Sequence, residues 1–200
     1  MNLKGRRTRL SSKKKKALRK RLLVLFTVLL AIIAGVAGLV INDRSRRAAY
    51  PLQYRAEIEK AAAAYGLPVS LVFGVVHTES RFQPNAVSPV GAQGLMQIMP
   101  ETGPWLAGKL GLDEYDLMDP ETNLNMGCWY LNYLIGLFGD DYNAVLAGYN
   151  AGHNRVRGWM QEEEYTENGK LAVIPIKEAA DYVQKVLSAQ KEYQAIYGLE

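Results

Sequence analysis

Hydrophobic and polar positions divide this 200-residue chain into one unbroken apolar block followed by a series of periodic segments. Leu22 to Ile41 is twenty residues without a charge, the length of a helix that crosses the hydrocarbon core of a bilayer. Downstream the pattern changes to one apolar face per segment. Pro51 to Tyr65 reads as an Ala-rich helix stopped by Gly66, and Pro68 suits the first turn of the next helix. That next helix carries Leu71-Val72-Phe73-Gly74-Val75-Val76 and runs to Glu79. Val72, Val75, Val76 and Glu79 recur at i, i+3, i+4 and i+7, so a carboxyl group shares a face with residues that leave water.

After Phe82 the chain breaks into turn formers: Gln83-Pro84-Asn85, Ser88-Pro89, Gly91 and Gly94. Such a density predicts a tight loop folded back near the end of the Glu79 helix. Glu101 to Leu110 reads as helical despite Gly103 and Pro104. Asp119-Pro120-Glu121 then supplies a cap, a first-turn proline and a first-turn acid for a helix ending near Gly139. Its core stripe is Leu124, Cys128, Leu131, Leu134, Ile135 and Phe138, with Trp129, Tyr130 and Tyr133 off the stripe, lining a groove or packing on a neighbour. Asp141 to Ala151 predicts a short helix ending at Gly152. Gln161 to Ile174 is a polar loop that admits a hairpin near Leu171 to Ile174, and Pro175 to Tyr197 is the last helix. The fold class is therefore mostly α.

Charge alters the reading of the first segment. Eleven of the 24 Lys and Arg residues fall within the first 21 positions, whereas 13 basic and 20 acidic residues follow residue 41, a net charge of −7. The basic pI belongs to a tail. Because that tail runs straight into the apolar block, it fits the cytoplasmic flank of a membrane helix rather than a nucleic-acid arm. The expected organisation is a basic cytoplasmic tail (1–21), a membrane anchor (22–41), a polar linker (42–50) and an extracytoplasmic domain (51–200). Gly35-Val36-Ala37 keeps a cleaved signal peptide open as the rival reading, although the apolar run is longer than a typical signal core. The single cysteine, Cys128, reads as a small core residue.

The candidate chemistry starts at Glu79. Burial and the negative end of the helix dipole both push a carboxyl pKa up, and an acid still protonated near neutrality is what protonation of a leaving oxygen needs. The alternative is a Glu that turns to solvent or pairs with Arg81. Gln97, beside Leu95, Met96 and Met99, offers an amide over an apolar floor, chemistry suited to an N-acetylated sugar. Other motifs are decoys. Gly103 to Lys109 spells G-x-x-x-x-G-K, but Leu110 stands where a phosphate loop needs Ser or Thr, and no strand precedes it. His77-Thr78-Glu79 echoes a zinc-deaminase H-x-E, yet one cysteine cannot make its P-C-x-x-C half. His153 completes no familiar metal spacing. No metal, cofactor or nucleic acid is expected.

Glu79-Ser80, Ser88-Pro89-Val90-Gly91-Ala92, Gly94-Leu95-Met96-Gln97-Ile98-Met99-Pro100 and Ala147-Gly148-Tyr149-Asn150-Ala151-Gly152 occur in this order. Together they closely resemble the soluble-lytic-transglycosylase (SLT) catalytic domain family, related to goose-type lysozymes, over roughly residues 50 to 197. The resemblance implies a lysozyme-like domain with Glu79 as the catalytic acid. It implies that Tyr149 and Asn150 border that acid, and that Ser88, Gln97, Met96 and Met99 contact peptidoglycan sugars. Family members commonly carry E-T-x-x-Y-V near the C-terminus, whose tyrosine approaches the acid. Here Glu178, Tyr182 and Val183 are kept and Ala179 replaces the threonine.

The resemblance also implies a mechanism. Ordinary glycosidases use two carboxylates, whereas the motif region offers Glu79 and, nearby, Glu101. One acid suffices if the substrate supplies the nucleophile. Glu79 protonates the oxygen leaving N-acetylmuramic acid, the N-acetyl oxygen stabilises the anomeric carbon, and Glu79 as base then directs the C6 hydroxyl into a 1,6-anhydro ring. Hydrolysis on the same fold and a catalytically idle wall-binding or assembly module remain as alternatives. With a net negative domain, recognition of an anionic wall polymer rests on groove shape and hydrogen bonds.

Overall fold

The structure, a computed structural model, describes residues 12–200. It separates into two compact units, one ending at Ala49 and one spanning Tyr50–Glu200. In the first unit, α1 (Ser12–Ala49) is a continuous helix whose apolar side chains from Leu22 to Ile41 are exposed. It is long and apolar enough to cross a membrane. Of the basic tail expected over residues 1–21, residues 1–11 lie outside the described part and 12–21 are helical. Residues 42–49, expected as a linker, continue the same helix, with an i,i+4 pair between Asp43 and Arg47 at 2.8 Å on its polar end.

The second unit is almost entirely helical: α2 (Arg55–Ala64), α3 (Val69–Glu79), α4 (Gly103–Leu110), α5 (Pro120–Phe138), α6 (Tyr142–Ala151), α7 (His153–Trp159) and α8 (Lys177–Tyr197). One small antiparallel hairpin, β1 (Thr166–Glu167) and β2 (Lys170–Leu171), interrupts them. At its centre lies α3, with every residue from Ser70 to His77 buried. A helix apolar all round belongs in a core, and α3 packs chiefly along α8. Gly74 permits that contact: a Cβ there would lie 2.9 Å from the Val186 carbonyl oxygen of α8.

Two apolar clusters result. The larger takes Leu71, Val72, Val75 and Val76 of α3 with Leu124, Cys128, Leu131 and Leu134 of α5, residues of α6, and Val183, Val186 and Tyr193 of α8. The smaller gathers Ile98, Leu106, Ala107, Leu117 and Met126. Thus α5 serves both, and the stripe expected along it is only one of its two buried faces. Ile135 and Phe138 are partly buried at the edge of the larger cluster.

Caps chosen by local chemistry hold where the sequence places them. Asp119 accepts from the Thr122 amide at 2.8 Å to start α5. The buried Asp141 accepts from the Ala144 amide to start α6 and, through its other oxygen, from the Leu171 amide at 2.7 Å, so one carboxylate both caps a helix and holds the hairpin. Two expectations shift, and one helix goes unmarked in the sequence. The helix expected from Pro51 begins at Arg55, because Tyr54 takes φ 54° and the carbonyls of Tyr50 and Pro51 are bound by the Tyr197 and Tyr193 hydroxyls of α8. The hairpin turns at Asn168-Gly169, both in the left-handed region, rather than near residues 171–174. Finally, α7 follows Gly152 directly, with Val156 fully buried.

Candidate active site

Glu79 is the last residue of α3, delivered to the rim of the core by a helix that is otherwise buried. Its carboxyl is partly enclosed, and burial raises its pKa from 4.5 to about 7, outweighing a smaller downward pull from the Tyr182 hydroxyl. Of the two readings of this residue, the solvent-facing one paired with Arg81 is not adopted. Arg81 instead donates to His77 Nε2 at 2.7 Å, an arrangement in which that ring nitrogen is the acceptor. His77 is buried and stacks on Tyr50 with ring centroids 4.8 Å apart.

The chain leaves α3 under constraint. Arg81 and Phe82 both take positive φ, 53° and 63°, and Phe82 is buried. Left-handed non-glycine residues cost about 1 kcal/mol or more each and persist where surrounding contacts over-determine them. Those contacts come from three helices. The Ser80 hydroxyl donates to the Leu95 carbonyl at 2.8 Å, tying the end of α3 to the loop. The Tyr149 hydroxyl of α6 donates to the Met96 carbonyl at 2.9 Å. From α5, the buried Asn123 accepts from the Met96 amide at 2.7 Å and donates to the carbonyls of Gln93 and Leu117 at 2.9 and 2.8 Å. Gly94 takes φ 80°, and a Cβ there would meet Asn123 Nδ2 and the Leu117 oxygen at 2.2 Å, so the loop lies directly against the Asn123 amide.

The polar residues of the loop are half engaged by its own backbone. Ser88 Oγ accepts from the Ala92 amide at 3.0 Å, leaving its proton to donate. Gln97 sits at φ 50° and spends both amide protons on the Ala86 and Gly94 carbonyls, at 3.1 and 2.9 Å, so what it retains for a ligand is an acceptor oxygen. Met99 is partly exposed and Asn150 exposed. Met96 differs from expectation. Its side chain is wholly buried against Gly127, and it acts on the site through its backbone carbonyl, not as a surface for sugar.

Facing Glu79 from α8 is Tyr182, whose buried hydroxyl makes no hydrogen bond of good geometry. A hydroxyl only weakly engaged by a carboxyl of raised pKa still has hydrogen-bonding capacity to spare. Since that hydroxyl pulls the Glu79 pKa down, Tyr182→Phe is expected to raise it above about 7. The same change should leave thermal stability within about 1 kcal/mol, because the contact with Glu79 is too poorly aligned to act as a full hydrogen bond. A carboxyl-carbon NMR titration of the variant against the parent, with paired melts, checks both expectations.

Tyr149, Gln97, Ser88, Met99 and Tyr182 are held by the loop and the helices that frame Glu79. Sequence reasoning gave no role to Ser80 or Asn123. A signal existed for Asn123, a polar residue at i−4 from Gly127 and next to Leu124 at the buried start of α5. Among the described residues, no three His, Cys, Asp or Glu side chains converge as metal ligands would.

Comparison with known proteins places the chain in context. The family described as "Transglycosylase SLT domain" matches residues 56–172. The soluble lytic murein transglycosylase of Escherichia coli (strain K12) is 34% identical over 175 residues, which are 84% of this chain and 27% of that protein. The membrane-bound lytic murein transglycosylase C of Mannheimia succiniciproducens is 31% identical, over 77% of this chain and 48% of that one. Among solved structures, the 70-kDa soluble lytic transglycosylase from Escherichia coli superposes with a TM-score of 0.70 at 33% identity, over 84% of this chain and 28% of that one. A complex of the 70-kDa soluble lytic transglycosylase with bulgecin A gives 0.70 at 31%. This chain thus spans about a quarter of the length of the soluble relatives it matches.

Proposed function

Because the chain belongs to the transglycosylase SLT domain family, with its lysozyme-like helical fold, we propose that it is a membrane-anchored lytic transglycosylase. Its substrate in this reading is the β-1,4 bond between N-acetylmuramic acid and N-acetylglucosamine in peptidoglycan. The observation that carries the reading is Glu79: a carboxyl raised to about 7, at the end of a buried helix, flanked by Tyr149 and Tyr182. A group with that pKa is substantially protonated at neutral pH and still basic enough to take a proton back, the two states a single acid needs to act twice.

In the first step Glu79 gives its proton to the oxygen leaving the muramic residue while the sugar's own N-acetyl oxygen supports the anomeric carbon. In the second, the Glu79 carboxylate removes the C6 hydroxyl proton, and O6 closes on the anomeric carbon. The Gln97 acceptor and the Ser88 donor suit an N-acetyl group's N–H and carbonyl, with the partly exposed Met99 beneath. The Tyr182 hydroxyl steadies the carboxylate between the two proton transfers. Digestion of purified peptidoglycan, analysed by mass spectrometry, tests the route: muropeptides ending in 1,6-anhydro-muramic acid are expected. Products heavier by one water at that end would mean hydrolysis and would overturn the transglycosylase assignment.

The apolar span of α1 and the basic residues before it fit a single membrane crossing with the N-terminus in the cytoplasm and residues 50–200 outside, near the wall. Full-length protein is expected to remain in the membrane pellet after an alkaline carbonate wash, and the chain from residue 48 onward in the supernatant. Recovery of the full-length protein in the supernatant would rule the anchor out.

A further inference from the structure

A cleft of ≈ 480 Å³ opens between the end of α3 and the middle of α8. We propose that it binds the phosphodiester headgroup of an anionic phospholipid. The inference rests on the reading of α1 as a membrane anchor, which supplies the lipid, and not on the chemistry assigned to Glu79. His77 lines the cleft and precedes Glu79 by two residues, about 200° around the helix, so cleft and carboxyl lie on different sides of α3.

The charge of the cleft runs against that of the chain around it. Residues beyond position 41 carry a net charge of −7, yet Arg81 and Lys185 face each other here across the α3–α8 boundary. The acid of the cleft, Asp181, is already paired with Lys177, which with Lys185 holds its carboxyl below the usual range. Three cations thus stand against one engaged carboxylate. An anion arriving in this cleft meets attraction.

Arg81 gives the cleft its specificity for phosphate oxygens. It sits at φ 53° and donates through Nη1 to His77 Nε2 at 2.7 Å, one of its five N–H groups. Among the described residues no carboxylate pairs with it. A guanidinium positioned by an imidazole rather than by an acid keeps its charge uncompensated and its planar fork available, the geometry that matches two phosphate oxygens. On the α8 wall the exposed Gln184 amide and Ser188 hydroxyl lie one turn apart and add neutral donors.

The position of the cleft along the chain points to lipid as the source of that phosphate. Tyr50 lines the cleft, stacks on His77 and is the first residue after α1. Residues 42–49 carry the helix about 12 Å past the apolar span, and the headgroup layer of a bilayer is itself roughly 5 to 8 Å deep. The chain therefore reaches Tyr50 close to the level of lipid phosphates. Arg44, Arg46 and Arg47 in the same stretch suit an anionic surface.

Amide NMR shifts of the full chain in dodecyl-maltoside micelles, titrated with dihexanoyl-phosphatidylglycerol, test the proposal. Saturable shifts at residues 77–82 and 181–189 are expected, with dihexanoyl-phosphatidylcholine and inorganic phosphate each bound about tenfold more weakly. Arg81→Gln is expected to raise Kd about tenfold and Lys185→Gln about fivefold, whereas Lys109→Gln, the same loss of charge on α4, leaves it unchanged. Melting temperatures identify any variant that fails to fold, and if Arg81→Gln is one, the exposed Lys185 decides. No saturable shift, a Kd unmoved by the cleft variants, or equal affinity for phosphatidylcholine overturns the proposal. Inorganic phosphate bound as tightly as the lipid overturns it too, leaving a free-anion site. The carbonate wash runs alongside. Full-length protein kept in the pellet without saturable shifts sinks the cleft and leaves the anchor, whereas variant-sensitive binding by protein released to the supernatant sinks the anchor and leaves the headgroup site.

Discussion

Glu79→Gln is expected to lower peptidoglycan cleavage by about 10³-fold or more, since the amide can neither give nor take the proton that both proposed steps require. Chromatography of released muropeptides measures the loss, and a variant cutting strands at even a tenth of the parental rate would remove Glu79 from the chemistry. The same substitution should stabilise the fold, but only in part of the pH range. An unfolded carboxyl titrates near 4.5 and the folded one near 7. The native state thus holds the extra proton between these values, and stability falls as pH rises through that interval. Above pH 7 the penalty is complete, about 3 kcal/mol at most, and below pH 4.5 it vanishes. Melts of Glu79→Gln should therefore run above the parent at pH 8 and coincide with it at pH 4. Coincidence at both would mean that the carboxyl is not desolvated.

Gly94→Ala is expected to be the most damaging change away from the chemistry. The new methyl would arrive at φ 80° and lie 2.2 Å from the Asn123 amide and from the Leu117 backbone oxygen, neither of which is the loose end of a flexible side chain. Displacing Asn123 breaks its bonds to Met96, Gln93 and Leu117 together. Backbone strain, overpacking and lost buried hydrogen bonds combine to about 3 kcal/mol or more. Denaturant melts check the figure, with an associated fall in cleavage because Ser80 and Tyr149 lose the loop they hold. A variant within 1 kcal/mol of the parent would show that the loop repacks without that wiring.

What was legible in the sequence was local. Asp119 and Asp141 announced their helices because a cap is decided within four residues, and the all-round apolar run of α3 announced a core helix because burial follows composition. Glu79 stood out as a carboxyl on an apolar face, and its raised pKa follows from that placement. What was not legible depended on partners distant in sequence. The start of α2 was misplaced because tyrosines about 140 residues later bind the Tyr50 and Pro51 carbonyls. The orientation of Met96 depended on the space beside Gly127, and the closing of the loop on Asn123, both supplied by α5. The Asn168-Gly169 turn was a readable signal, but its flanking strands are two residues each and carry no alternation to mark them. Likewise α7 is one short helix whose anchor, Val156, is defined only by the core it enters.

The packing of α3 along α8 carries a consequence for biogenesis. Glu79 emerges from the ribosome about a hundred residues before Tyr182, and the helix that bears it cannot leave water until the final segment arrives. Until α8 docks, the Glu79 carboxyl stands in water with the acidity of an ordinary surface acid. Its raised pKa is thus a property of the assembled helices, acquired late in folding.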